Sequence, residues 1–213
     1  MKRTAFTMFE LVMVIVVLGI IAALALPRIE RDVRQEAADS ILSSIRFTQH
    51  MALMDDKTNP SDPSWQKTLW HMRFSTYTDG GTQWFYTVGS NMNKATNINK
   101  NETAIDPSNG KYMYNANGDS TIDLDESPNI FIGKRFSISS ITFAGGCSGN
   151  QHIAFDHLGR PHSGIYSAGN DFATYMSSDC QITFNFSDTN YPSFTINIER
   201  ETGYAFINGQ ENS

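Results

Sequence analysis

One stretch limits the fold of this chain more than any other. From Phe6 to Leu26, a run of 21 positions, only Thr7, Glu10 and Gly19 interrupt apolar side chains. Wound as a helix at about 1.5 Å per residue, the run reaches roughly 31 Å, the thickness of a bilayer's hydrocarbon core. Lys2 and Arg3 stand just before it, so the positive-inside rule sets the short N-terminus in the cytoplasm and everything after Pro27 outside. An ordinary secretory signal places a small-residue cleavage site after its apolar core. Here the small residue, Ala5, comes before the core, and a carboxylate, Glu10, lies within it. An ionisable group inside a membrane helix costs a few kcal/mol, so Glu10 calls for a partner and points to a role.

The helical pattern continues beyond Pro27. Ile29, Val33, Ala37, Ile41 and Ile45 recur every fourth residue, and Ala38 and Leu42 widen the stripe. Arg28, Glu30, Arg31, Asp32, Arg34, Glu36 and Asp39 take most of the remaining surface. The periodicity stops at Asp55–Pro60. The expectation is one helix over 6–54, with a membrane half (6–26), an amphipathic half (27–54) and a bend at Pro27.

Residues 61–213 read as a β-rich globular domain. Leu69–Tyr77 and Thr82–Val88 flank Asp79-Gly80-Gly81, a hairpin signal. Phe136–Phe143, Gln151–Asp156, Gln181–Phe186 and Phe194–Glu199 alternate apolar and polar residues, and Arg200–Gly203 turns the last of these into Tyr204–Ile207. Residues 90–130, rich in Asn, Ser, Thr, Asp and Gly, read as a long loop or insertion. The fold class is therefore α+β, a long N-terminal helix packed on an antiparallel β-sheet domain. The length allows one domain of ordinary size plus an anchor.

The first 28 residues resemble the class III signal of type IV prepilins and type II secretion pseudopilins. In that family a membrane prepilin peptidase cuts on the cytoplasmic side just before a Phe and methylates the new amine. The resemblance makes 1–5 the leader, Ala5–Phe6 the processing site and Phe6 mature residue one. It puts Glu10 at mature position five, where the family carries its signature Glu. The family normally has Gly before the cut, where this chain has Ala5. The implied assembly role is a pair between Glu10 of an incoming subunit and the Phe6 amine of a neighbour, which also sets the register.

A second stretch, Ile153–Arg160, contains Phe155 and Gly159 in the F-x-x-x-G strand-and-turn of GspH/FimT-type minor pseudopilins. A closing T-G-Y-A-F-I hairpin over 202–207 follows, as it does in that family. These likenesses imply a pilin-like fold and a structural minor subunit of a type II secretion pseudopilus, not an enzyme. They imply a bacterial inner-membrane protein with a periplasmic domain, whose partners are the peptidase and other pilin subunits. A minor type IV pilin taking part in DNA uptake or adhesion is the alternative.

The formal charge is −6, and −8 once Lys2 and Arg3 are removed, which argues against a broad phosphate-binding surface and makes nucleic acid an unexpected partner. The only cysteines, Cys147 and Cys180, lie on the oxidising side, where a disulfide is expected. Asn115, Asn117, Asp119, Thr121, Asp123 and Glu126 fall at positions 1, 3, 5, 7, 9 and 12 of a twelve-residue calcium loop, with Ile122 at the apolar position 8. A structural Ca2+ would order an insertion short of apolar residues. Position 1 is Asn in place of Asp, and position 6, where the turn prefers Gly, is Ser120.

His152, His157 and His162, five apart near Asp156, cannot converge from one strand, and turn or surface roles are expected for them. No G-x-S-x-G, H-E-x-x-H or glycine-rich phosphate loop occurs. Trp65, Trp70, Trp84, Phe85 and Tyr86 read as core packing in hairpins rather than a binding surface.

Overall fold

The computed structural model describes residues 8–211 apart from 96, 117, 119, 120, 168, 170 and 171, and of 24–32 it describes only the helical backbone. Helix α1 spans Met8–Met54 and passes through Pro27. Its C-terminal part does what the stripe predicts: Ala37, Ala38, Ile41, Leu42, Ile45 and Ala52 are buried, and polar side chains beside them tie the helix to the domain. Arg34 donates to the Pro192 and Ser193 carbonyls, and Arg46 donates twice to that of Ala205.

The domain is built from β1 (Trp70–Thr78), β2 (Thr82–Ser90), a short helix α2 (Ile132–Phe136), β3 (Ile138–Gly145), β4 (His152–Phe155), β5 (Pro161–His162), β6 (Cys180–Phe186), β7 (Phe194–Ile198) and β8 (Ala205–Ile207). Apart from β5, which no expected segment covers, the strands fall within a residue or two of those read from the sequence, and all the strand ladders are antiparallel.

They form two four-stranded sheets, β2-β1-β4-β5 and β3-β6-β7-β8, a division that the sequence reading left open. The reason is local. Helix α2 docks on the start of β2 so closely that a Cβ on Gly133 would lie 2.5 Å from the Trp84 amide nitrogen. Ser137, at φ 59°, then turns the chain into β3, which pairs with β6 instead of β2. This also moves the start of the expected 136–143 strand to Ile138, because Phe136 closes α2.

The two sheets and α1 share one core. Phe74 of β1 meets Tyr86, Phe143 and Phe184 with ring centroids 5.6–6.1 Å apart, which joins the sheets at their centre. The 90–130 segment is better ordered than its composition predicts. It is held by 3-10 turns at Lys100–Glu102 and Pro128–Ile130, by bridges such as Gly89 to Thr103, and by buried Ile98, Ala104 and Met113. Asp106, only 5 % exposed, is its polar hub and accepts from Ser108, Asn109, Ser127 and Asn129. Burial works against its charge, but those bonds outweigh it and hold the carboxyl below its ordinary range.

Candidate functional site

The N-terminal part of α1 makes the starkest surface on the molecule. Every large apolar side chain from Met8 to Ile21 is at least 50 % exposed, and the stretch is apolar around its whole circumference. Glu10 is the acidic residue of its first turn. Among the described residues no helix is long and apolar enough to cross a membrane. The expected 6–26 span begins and ends beyond the residues whose side chains are described, and Ala5 and Phe6, the expected processing site, lie outside the described residues.

Beyond β4 the chain turns at Asp156, whose carboxylate organises the turn. It accepts from the Leu158 and Arg160 amides at 3.0 and 2.9 Å and from the Arg160 side chain at 2.7–2.8 Å, and His162 Nε2 stands 3.5 Å away. Burial opposes its charge, but the His162 and Arg160 contacts prevail and hold the carboxyl far below the usual range. This turn meets the 199–203 turn through Gln49 of α1, whose amide donates to the Gly159 carbonyl at 2.9 Å and to that of Thr202 at 3.0 Å. Nothing local in the sequence distinguishes Gln49 from the other polar residues of the helix.

Cys147 and Cys180 form a disulfide with Cα atoms 5.2 Å apart, tying the end of β3 to the start of β6. In the 115–126 loop, Asn115 and Glu126 are both buried and close its base. The Gly118 amide donates to Asn115 Oδ1 at 3.1 Å and the Asp123 amide to Glu126 Oε2 at 3.1 Å. Burial pushes the Glu126 carboxyl up, against the pull of the Asp123 amide. Thr121 and Asp123 are exposed, and the other two expected ligands, Asn117 and Asp119, lie outside the described residues. Among the described residues no group of three or more His, Cys, Asp or Glu is placed to hold a metal ion.

The three spaced histidines go to three settings. His157 meets Thr58 and Asp56, His162 Nδ1 lies 2.9 Å from Thr174 Oγ1, and His152 is buried beside Tyr166. Trp65, Phe85 and Tyr86 are core residues, while Trp70 and Trp84 are half-buried and donate to Asp55 and to the Ser139 carbonyl.

His71, a residue without an obvious motif, completes a buried cluster. Its Nδ1–H donates to the Leu69 carbonyl at 2.8 Å and its Nε2 accepts from Tyr166 Oη at 2.6 Å, while the Ile165 amide donates to His152 Nε2 at 3.2 Å. The period of two along β1 was the available signal, since it sets His71, Arg73 and Ser75 on the face opposite Met72 and Phe74.

No family model matches the chain, and neither a curated protein nor a solved structure matches it.

Proposed function

We propose that the chain is a structural subunit of the type IV pilin-like class, a minor pseudopilin of a type II secretion system. In this reading Met1–Ala5 is removed by prepilin peptidase, and the apolar head of α1 stays in the bacterial inner membrane until it enters a periplasmic pseudopilus. One observation carries the proposal: the apolar head of α1 stands bare over Met8–Ile21, while the same helix from Arg34 onward is bound to the domain. A bare apolar surface of that extent requires lipid or other helices. Glu10 near its start is then placed to meet the Phe6 amine of a neighbouring subunit, and the pair forms only at the correct axial offset.

The alternative role in DNA uptake needs an exposed basic patch. Lys134, Arg135 and Arg160 each face a carboxylate, on Asp79, Glu36 and Asp156 respectively. That arrangement favours the structural reading. Within the same proposal the 115–126 loop takes a structural Ca2+, with Asn115, Asn117, Asp119, Thr121, Asp123 and Glu126 as its ligands.

Mass spectrometry of the N-terminus after co-expression with a prepilin peptidase tests the assignment. A chain beginning at methylated Phe6 is expected. An intact Met1, or a cut beyond Ala22, would sink it.

A further inference from the structure

Three of the four sheet edges are short or covered. Strands β5 and β8 have two and three residues. Strand β2 lies against the 103–113 segment, whose Ala104 amide donates to the Val88 carbonyl at 2.9 Å. The fourth edge, β3, is eight residues long. Unpaired amides and carbonyls along such an edge template another strand, and natural sheets blunt it with a charge, a proline or a cover. From Ser137 to Phe155 the chain has no Asp, Glu, Lys, Arg or Pro. Among the described residues the outer side of β3 is met only at its ends, where the Trp84 indole donates to the Ser139 carbonyl and the Ser148 amide to that of Gly145, both at 3.0 Å.

The register shows which groups are left over. The Gly146 amide donates to the Asp179 carbonyl at 3.0 Å, which extends the β3–β6 ladder by one pair. Bonded pairs alternate along an antiparallel ladder, so Ser140, Thr142 and Ala144 bond to β6. Ile141 and Phe143 therefore point their amides and carbonyls outward, four groups in all. Their side chains lie on the inner face, packed against the core but only partly buried, while Thr142 is exposed on the outer face.

We infer that β3 pairs antiparallel with β3 of a second copy of this chain, about a two-fold axis at Thr142, joining two four-stranded sheets into one of eight strands. In that register Ile141 faces Phe143 of the second copy and Phe143 faces its Ile141. All four outward groups of each strand are bonded, and the two half-buried side chains cover each other as an aromatic and β-branched pair. Thr142 meets its own counterpart, a pairing that strands favour.

Charge also selects a second copy. Each chain carries a formal −6, so a surface that meets itself must be free of like charges, and this edge carries no charge at all. A single strand edge buries less than the roughly 1,600 Å2 of a standard interface, so association at about 10–100 µM is expected. This goes beyond the filament reading and stands without it.

The test is sedimentation equilibrium of the full chain in density-matched detergent micelles, up to about 200 µM. A monomer–dimer equilibrium is expected. Thr142→Lys sets two like charges face to face on the axis and weakens the dimer about tenfold or more. Thr142→Cys puts two thiols across a non-hydrogen-bonded pair with Cα atoms about 4.5 Å apart, so dissolved oxygen links the copies through residue 142 while the Cys147–Cys180 bridge is retained on peptide mapping. Ser140→Cys, also exposed, stands roughly 13 Å from its counterpart and gives no such link. A chain that stays monomeric would overturn the inference and leave the edge to an extended segment of another protein. A dimer indifferent to Thr142→Lys, as association through the apolar head of α1 would be, overturns it too, and so does equal cross-linking from positions 140 and 142.

Discussion

Gly203 lies so close to the carbonyl of Gly159 that a Cβ at position 203 would sit 2.1 Å from the Gly159 oxygen. The turn after β4 and the turn before β8, far apart in sequence, are thus in backbone contact, and Gln49 of α1 donates to both. Gly203 also has φ +68°, which a side chain adopts at a cost of about 1 kcal/mol. Gly203→Ala therefore meets strain and overlap together, and a loss of about 2–4 kcal/mol is expected in urea denaturation. Gln49→Ala, which removes two hydrogen bonds without a clash, is expected to lose about 1–2 kcal/mol. A near-neutral Gly203→Ala would mean the two turns separate at little cost.

The pair His71 and His152 makes stability depend on pH. Burial drives His71 down to about 4, with the Leu69 carbonyl pulling the other way and Arg73 adding to the fall. Burial, His71 and Arg73 bring His152 to about 3. Both imidazoles are therefore neutral in the fold, whereas in the unfolded chain each protonates near pH 6.5 as an ordinary histidine does. Their contribution is fully present above about pH 6.5 and is lost as pH falls toward 4 and 3. Between pH 6 and 4.5 the loss approaches about 1.4 kcal/mol per pH unit for each histidine. Asp156, held far below the usual carboxylate range, stays ionised through that window. Denaturation midpoints at pH 7, 6, 5 and 4.5 should fall accordingly, and His152→Gln should remove about half of the slope. A flat profile would mean that the histidines are reached by water.

How much could be read beforehand followed how local each feature is. Burial in β6 alternates along Cys180–Phe186 as its sequence does, with Ile182, Phe184 and Phe186 inside. The stripe of Ala37, Ile41 and Ile45 likewise reports its own burial. The two hairpins, β1 with β2 and β7 with β8, were legible, but the remaining strand partners were not, because the split into two sheets depends on Gly133 letting α2 sit against Trp84. The bare edge of β3 was hidden for a similar reason, since only its pairing with β6 decides which of its amides and carbonyls are left over. Glu10 stood out without any structure, since an apolar run makes a single carboxylate conspicuous.

The disulfide between Cys147 and Cys180, 33 positions apart, fixes the β3–β6 edge of the second sheet. Closing a loop of that length stabilises by roughly 3–4 kcal/mol in the chain-entropy model. Both sulfurs are fully buried, so a mild reductant should act slowly on the folded chain. Cys147→Ala/Cys180→Ala is expected to lower the urea midpoint by the corresponding amount while leaving far-UV dichroism unchanged below it. An unchanged midpoint would show that the ladder from Ile138 to Gly145 holds the edge by itself.

The 115–126 loop separates a cation site from a self-contained turn. Glu126 is 1 % exposed and already accepts from the Asp123 amide, and Asn115 accepts from Gly118, so the base of the loop is closed by its own backbone. Those bonds would hold the turn without an ion. A hard cation such as Ca2+ requires six to eight oxygens, which the six expected ligands would have to supply. With the ion as part of the fold, 1 mM CaCl2 against EDTA should stabilise the chain by about 2.7 kcal/mol for a Kd near 10 µM, read as a rise in melting temperature. Glu126→Gln keeps the shape and the acceptor oxygen but removes the charge, so it should abolish the rise while barely moving the EDTA baseline. A wild-type chain that melts identically in CaCl2 and EDTA would assign the loop to hydrogen bonding alone.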